Sequence, residues 1–255
     1  MLVFAMAKSE TIKTMEAVAL KASEIQLNYF LKFDKLKPEE KSYQDYVTIA
    51  DKESEEMIIE GLQKAFPDYG FIGEESGVIK PEAKKKFIID PLDGTINFMK
   101  GLPFFCISIA LADFNERSEL EDIDQIEAAL IYAPFFKELF YAEKDQGAFF
   151  GTQPVIYNSA VNKIVCSIGN KNFNHNLLKE DIRQTIQSIA HRRFFGAAAL
   201  ELAYVAIQRI DSFMHCSLNV WDMAAAALIL KEAGAKVEDL DGFSKIFKTR
   251  NIIAY

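Results

Sequence analysis

The chain has 255 residues, half of them hydrophobic, with a formal net charge of −8. That length and composition exclude a disordered chain and allow one large domain or two smaller ones packed together. The negative balance argues against gripping nucleic acid or an anionic membrane through bulk electrostatics; small anionic substrates stay open, because a bound metal inverts the local field.

Met1 to Lys8 begin apolar but carry no basic leader or cleavage pattern, and no stretch of about 18 residues is apolar enough to span a bilayer. A soluble, cytoplasmic protein is expected. From Ser9 to Phe33, Ile12, Met15, Val18, Ala19, Ala22, Ile25, Leu27 and Phe30 recur at helical spacing, which predicts an amphipathic helix. Lys35 to Gln44, charged and holding Pro38, reads as a solvated loop. Asp51 then stands where a helix N-cap belongs, with Glu53 to Glu56 complementing the dipole of the helix that follows. Pro67 to Gly70 signal a turn, and the short strand Phe71-Ile72-Gly73 ends on Glu74-Glu75-Ser76-Gly77.

The same design returns 16 residues later: Phe87-Ile88-Ile89 is a buried strand that ends in Asp90-Pro91-Leu92-Asp93-Gly94-Thr95. Pro91 fixes φ and is expected to stop the strand, and Gly94 permits a turn or close approach, so Asp90 and Asp93 can converge. Converging carboxylates take up a proton or hold a cation, and oxygen-only ligands favour a hard cation such as Mg²⁺. Gly94, Thr95 and Ile96 would open a helix whose N–H groups suit a phosphate.

Strands are expected at 104–112, 126–133, 138–143, 155–157 and 163–169, the third following a Pro134 hairpin turn, and a helix at 176–190. Gly196 to Ile210 has helix spacing with a glycine at its head, and Arg193 before it suggests a second phosphate- or substrate-facing helix start. Asp222 is another N-cap candidate, for a helix running to Gly234; an Asp241-Gly242 turn and a last strand at 252–254 follow. Cys106, Cys166 and Cys216 lack metal or redox spacing and read as reduced core residues.

Asp51 after Val47-Thr48, Gly73-Glu74-Glu75-Ser76, Asp90-Pro91-Leu92-Asp93-Gly94-Thr95 and Trp221-Asp222, in this order and spacing, resemble the inositol monophosphatase family. Gly147-Ala148-Phe149, Gly196 to Leu200 and Glu232-Ala233-Gly234 extend the resemblance over nearly the whole length. It implies an α/β layered sandwich, αβαβα, in which residues 1–255 make a single compact body with an N-terminal α+β half (about 1–150) and a C-terminal α/β half (about 151–255).

It also implies hydrolysis of a small phosphorylated metabolite with two or three Mg²⁺, Mn²⁺ as a substitute, and Li⁺ as an inhibitor. By resemblance, Glu74, Asp90, the Leu92 carbonyl, Asp93 and Asp222 hold the metals, while Asp51, Glu74 and Thr95 handle the attacking water. Asp93, Gly94, Thr95, Gly196, Ala198, His215 and Asp222 face the substrate. A homodimer is expected on the same ground. One departure stands out: inositol-specific members carry a glutamate seven residues before the Trp-Asp aspartate, where this chain has His215. Fructose 1,6-bisphosphate and 3′-phosphoadenosine 5′-phosphate therefore stay open as substrates. So does a regulatory role linked to RNA or transcription, although no nucleic-acid surface is evident.

Overall fold

The computed structural model describes residues 8–32, 39–42, 45–114, 119–159, 165–169, 191–240 and 245–255. Helix α1 (Glu10–Phe30) starts at Ser9, whose hydroxyl accepts the Ile12 N–H. Its buried stripe is Ile12, Met15, Val18, Ala19, Ala22, Ser23, Gln26 and Phe30. Ile25 and Leu27, expected in that stripe, are only half-buried; the 3.6-residue repeat carries Gln26 inward instead, where its Nε2 donates to the Pro91 carbonyl at 2.6 Å. Helix α2 (Ile49–Ala65) packs beside α1. Part of the expected 35–44 loop is a strand: β1 (Glu39–Ser42) pairs antiparallel with β2 (Asp45–Val47). Charged side chains do not prevent pairing, because the ladder is made by backbone groups.

An eight-stranded sheet lies against these helices. It contains β3 (Gly70–Gly73), β4 (Gly77–Ile79), β5 (Lys85–Asp93), β6 (Cys106–Asp113), β7 (Ile126–Ala133), β8 (Glu138–Glu143), β9 (Gly147–Phe150) and β10 (Gln153–Val155), in the order β10-β9-β8-β7-β6-β5-β3-β4. From β5 to β10 the chain meanders antiparallel, whereas β3 runs parallel to β5, with Gly73 opposite Ile89. Parallel pairing lays the two acid-ended strands side by side, so Glu74 arrives next to Asp90. β5 is apolar without alternation because both its faces are covered: Phe87 and Ile89 join the core under α1 and α2, and Ile88 the core on the other side.

That second core is filled by two helices, α4 (Ala198–Ala206) and α5 (Val220–Ala233); the short α3 (Thr95–Met99) follows β5. In α5 every residue from Met223 to Leu230 is buried, the signature of a helix covered all round. A five-stranded sheet covers the far side, in the order β12-β11-β13-β15-β14, built from β11 (Val165–Gly169), β12 (His191–Arg193), β13 (Ser212–His215), β14 (Val237–Glu238) and β15 (Ile252–Ala254). Helix α6 (Ile246–Thr249) precedes β15.

The described layers run α-β-α-β, an α/β layered sandwich. The helix expected at 176–190 lies outside the described residues, as does the expected 241–242 turn. Several boundaries differ from the sequence reading: β6 starts at Cys106 rather than Phe104, and α4 ends at Ala206 rather than Ile210. Pro91 does not end β5: the strand passes through it on a bulge between Asp90 and Asp93, and Asp93 again pairs with Cys106. A bulge is a place where the ladder spares a proline's missing N–H. Strand β10 ends at Val155, short of the expected Ile156 and Tyr157. Cys106 and Cys166 are buried and Cys216 half-buried, none in a disulfide among the described residues.

Candidate active site

The site forms where the ends of β3 and β5 meet the starts of α2, α4 and α5. Asp90 accepts the Leu92 N–H at 2.9 Å, an Asx-type turn that bends the chain through Pro91. Glu74, anchored by its own N–H to the Ile89 carbonyl at 3.2 Å, hydrogen-bonds Asp90 through its side chain. Burial, reinforced by Glu74 and Asp93, holds the Asp90 carboxyl well above the usual carboxylate range.

Asp93 reaches the other way, into the start of α4. Its Oδ1 accepts the Ala198 N–H at 3.0 Å, and its Oδ2 accepts the Ala199 and Leu200 N–H groups at 2.7 and 3.4 Å. The helix N-terminus thus holds a carboxylate of the protein itself. Burial still lifts Asp93 to about 6 against these bonds. Gly94 follows at φ +96°, and a Cβ there would lie 2.9 Å from the Phe104 carbonyl and 3.1 Å from the Ala197 Cβ. Glycine is required on both counts.

Asp51 and Asp222 sit at the starts of α2 and α5, and neither is the N-cap expected from the sequence. Thr48 caps α2 and Asn219 caps α5, each three residues earlier. Asp51 accepts the Thr48 N–H at 2.9 Å and Asp222 the Asn219 N–H at 2.7 Å, both from the third helical position. One oxygen of each is committed to the cap. The other oxygen of Asp51 accepts the Thr95 hydroxyl at 3.1 Å, and that hydroxyl also lies 3.1 Å from the Leu92 carbonyl. Burial raises Asp51 to about 6; burial and Asp93 raise Asp222 to about 7.

Beside the acids lies a cavity of about 190 Å³ lined by Asp93, Phe194, Gly196, Ala198, His215 and Asp222 among others. Gly196 and Ala198 line it, but their N–H groups are engaged, that of Gly196 by Glu201 at 3.0 Å and that of Ala198 by Asp93. His215 lies against Gly169, where any Cβ would collide with its ring. Arg193 is not brought to the cavity; it is exposed on β12, its Nη1 donating to the Arg192 carbonyl at 2.9 Å.

Three residues with evident work at the site escape the sequence reading. Glu55 accepts the N–H groups of Glu75 and Ser76, and Glu201 those of Phe195, Gly196 and Ala197. Asn97 donates to the Phe104 and Phe195 carbonyls at 2.8 and 2.7 Å, tying the loops on either side of α3. A signal existed for the two acids: each interrupts a buried helical stripe, Glu55 before Ile58 and Leu62, Glu201 between Leu200 and Leu202.

Among the described residues, no three Asp, Glu, His or Cys side chains already converge as a finished metal cage. The acids adjoin in pairs, and among the described residues no lysine or arginine lines the cavity beside Asp93 and Asp222. Oxygen donors held close, buried and proton-seeking fit a hard divalent cation, with Glu74, Asp90, the Leu92 carbonyl, Asp93 and Asp222 as the groups that could hold it.

A layered α/β sandwich with an acid cluster where strands and helix starts meet defines the class. The model of the inositol monophosphatase family matches residues 7–255, so the chain belongs to that family and with it to the phosphoric monoester hydrolases. Inositol-1-monophosphatase of Mesorhizobium japonicum is 35% identical over 98% of this chain and 92% of its own. The Nus factor SuhB of Haemophilus influenzae is 36% identical over 92% and 87% respectively. The crystal structure of the extragenic suppressor protein suhB from Bartonella henselae superposes with a TM-score of 0.85 at 36% identity, covering 96% of this chain and 93% of that one.

Proposed function

We propose that the chain hydrolyses a small phosphate monoester, of the inositol monophosphate or related sugar and polyol class, by a Mg²⁺-dependent attack of water. The observation that carries this reading is the meeting of Glu74, Asp90, Asp93 and Asp222 from three separate elements, the end of β3, β5 and the start of α5, with Asp90, Asp93 and Asp222 all displaced toward the protonated form. In this reading Glu74, Asp90, Asp93, Asp222 and the Leu92 carbonyl hold the metal. When bound, the cations supply Lewis acidity that eases water ionisation and stabilises the leaving alkoxide.

The chain's own residues do the rest. Thr95 donates its hydroxyl proton to Asp51 and accepts a hydrogen bond from water, so that as a water proton passes to Thr95 Oγ the Thr95 proton passes to Asp51, which lies near its own pKa at neutral pH. The N–H groups that open α3 have no acceptor within the helix and meet the phosphate oxygens. Gly196, Ala198 and His215 bound the space for the alcohol.

Mg²⁺-dependent phosphate release from inositol-1-phosphate, fructose 1,6-bisphosphate and 3′-phosphoadenosine 5′-phosphate tests the reading, with wild type beside Asp93→Asn. One substrate is expected to turn over well, and the variant to lose about 100-fold or more, since even groups that only orient a ligand account for about 10–100-fold. No release with Mg²⁺ or Mn²⁺ would sink it. The likeness to the Nus factor SuhB keeps a second reading, a binding role in transcription; recovery of RNA polymerase subunits by both wild type and Asp93→Asn would favour it.

A further inference from the structure

Glu55 is 2% exposed, on α2 one turn beyond Asp51. Its Oε1 accepts the Glu75 N–H at 3.1 Å and its Oε2 the Ser76 N–H at 2.7 Å, and the Ser76 hydroxyl also bonds it. The carboxylate therefore spans two successive donors at the point where β3 ends and the sheet supplies no further acceptor. Gly73 makes room for it: a Cβ there would collide with Glu55 Oε1 and lie 2.5 Å from Ser76 Oγ. Glu74 stands between two anchors, its own N–H on the Ile89 carbonyl and the next two N–H groups on Glu55. Little backbone freedom remains to it, and its side chain meets Asp90.

We propose that Glu55 is a positioning residue that aims Glu74 at Asp90 and so sets the affinity of the site for its divalent cation. Glu55 touches neither cation nor substrate; it acts through the 74–76 turn. The inference rests on the metal-dependent reading above but concerns binding, which is measurable without turnover. Glu55→Gln keeps the shape and replaces one acceptor by an NH₂ group facing a backbone N–H, two donors opposed. Gly73→Ala displaces the carboxylate from the other side.

Mn²⁺ binding to the metal-stripped protein, followed by the electron paramagnetic resonance of free Mn²⁺, is expected to weaken about 10–100-fold in Glu55→Gln and in Gly73→Ala. The double variant Glu55→Ala/Gly73→Ala should lose much less than the sum of its two single variants, because both act on one contact. At saturating metal, KM for phosphate ester should stay within about twofold, which a general loosening of the fold would not produce. Wild-type Mn²⁺ affinity in folded Glu55→Gln, additive losses in the double variant, or no Mn²⁺ binding by wild type would overturn the proposal. A wild type that binds Mn²⁺ yet releases no phosphate would sink the hydrolase reading and leave Glu55 to be judged on its binding data.

Discussion

His215 shows how much one hydrogen bond decides. Its Nδ1 lies 2.7 Å from the Cys216 carbonyl, and a carbonyl only accepts, so Nδ1 carries the proton. Burial pushes the imidazole below its ordinary pKa; it is neutral at pH 7, and Nε2 is left as an acceptor. A glutamate at this place would accept through a charge, whereas His215 accepts without one; in the proposed reading it would favour a hydroxyl on a substrate that brings no cation. His215→Phe keeps the flat ring against Gly169 and Phe213 and removes the acceptor. A neutral hydrogen bond contributes about 0.5–1.5 kcal/mol, so KM for the preferred ester should rise about 3–10-fold with kcat nearly unchanged. If KM stays put for every ester in the panel, His215 only fills space.

At the scale of elements, two helices begin with the same device. Thr48-Ile49-Ala50-Asp51 and Asn219-Val220-Trp221-Asp222 each place an aspartate three residues after the cap, so helix geometry rather than loop packing aims both carboxylates. In Thr48→Ala the hydroxyl that accepts the Ala50 N–H at 3.1 Å and bonds Asp51 at 2.5 Å is lost. Loss of such a cap costs about 1 kcal/mol, which in a chain of this size lowers the melting temperature by about 2–4 °C. Because Asp51 is the proposed proton acceptor, kcat should fall more than that small loss of stability explains; an unchanged kcat would separate cap from chemistry. The acid-ended strands are legible in the sequence because an apolar run that stops on carboxylates is a pattern along the chain; the threonine or asparagine three before each aspartate is written there too, but the sequence reading puts the cap on the aspartate itself. Glu55 and Asn97 are harder to read, since each has backbone partners on another segment, 20 residues away for Glu75 and 98 for Phe195. Backbone groups carry no sequence label, so only folding reveals which side chain they need.

Over the whole molecule, α4 and α5 join the two sheets in one core: Ala110 and Ile131 of the large sheet share a cluster with Phe213, Ile252 and Ala254 of the small one. We infer that both halves unfold in one transition, so strain at the acid site is felt globally. Asp51 and Asp93 at about 6 and Asp222 at about 7 lie above the 3.8 of an unperturbed aspartate. Between pH 4 and 7 the folded chain keeps protons that the unfolded chain has released, so their contribution is complete below pH 4 and is lost as pH rises through 6 and 7. The metal-stripped protein should therefore melt at a progressively lower temperature from pH 5 to pH 8. In the proposed reading a divalent cation binds the deprotonated carboxylates and reverses that loss: Mg²⁺ at about 100 times its Kd should add about 2.7 kcal/mol, or about 5–10 °C, at pH 8 and far less at pH 5. The formal charge of −8 also disfavours the folded state as pH rises, but that repulsion is screened by salt and is nearly the same in Asp93→Asn. Calorimetry of both proteins at low and high salt separates the two causes. The variant should show a flatter pH dependence and a smaller response to Mg²⁺; equal slopes and equal responses would place the stabilising effect of the metal away from Asp93.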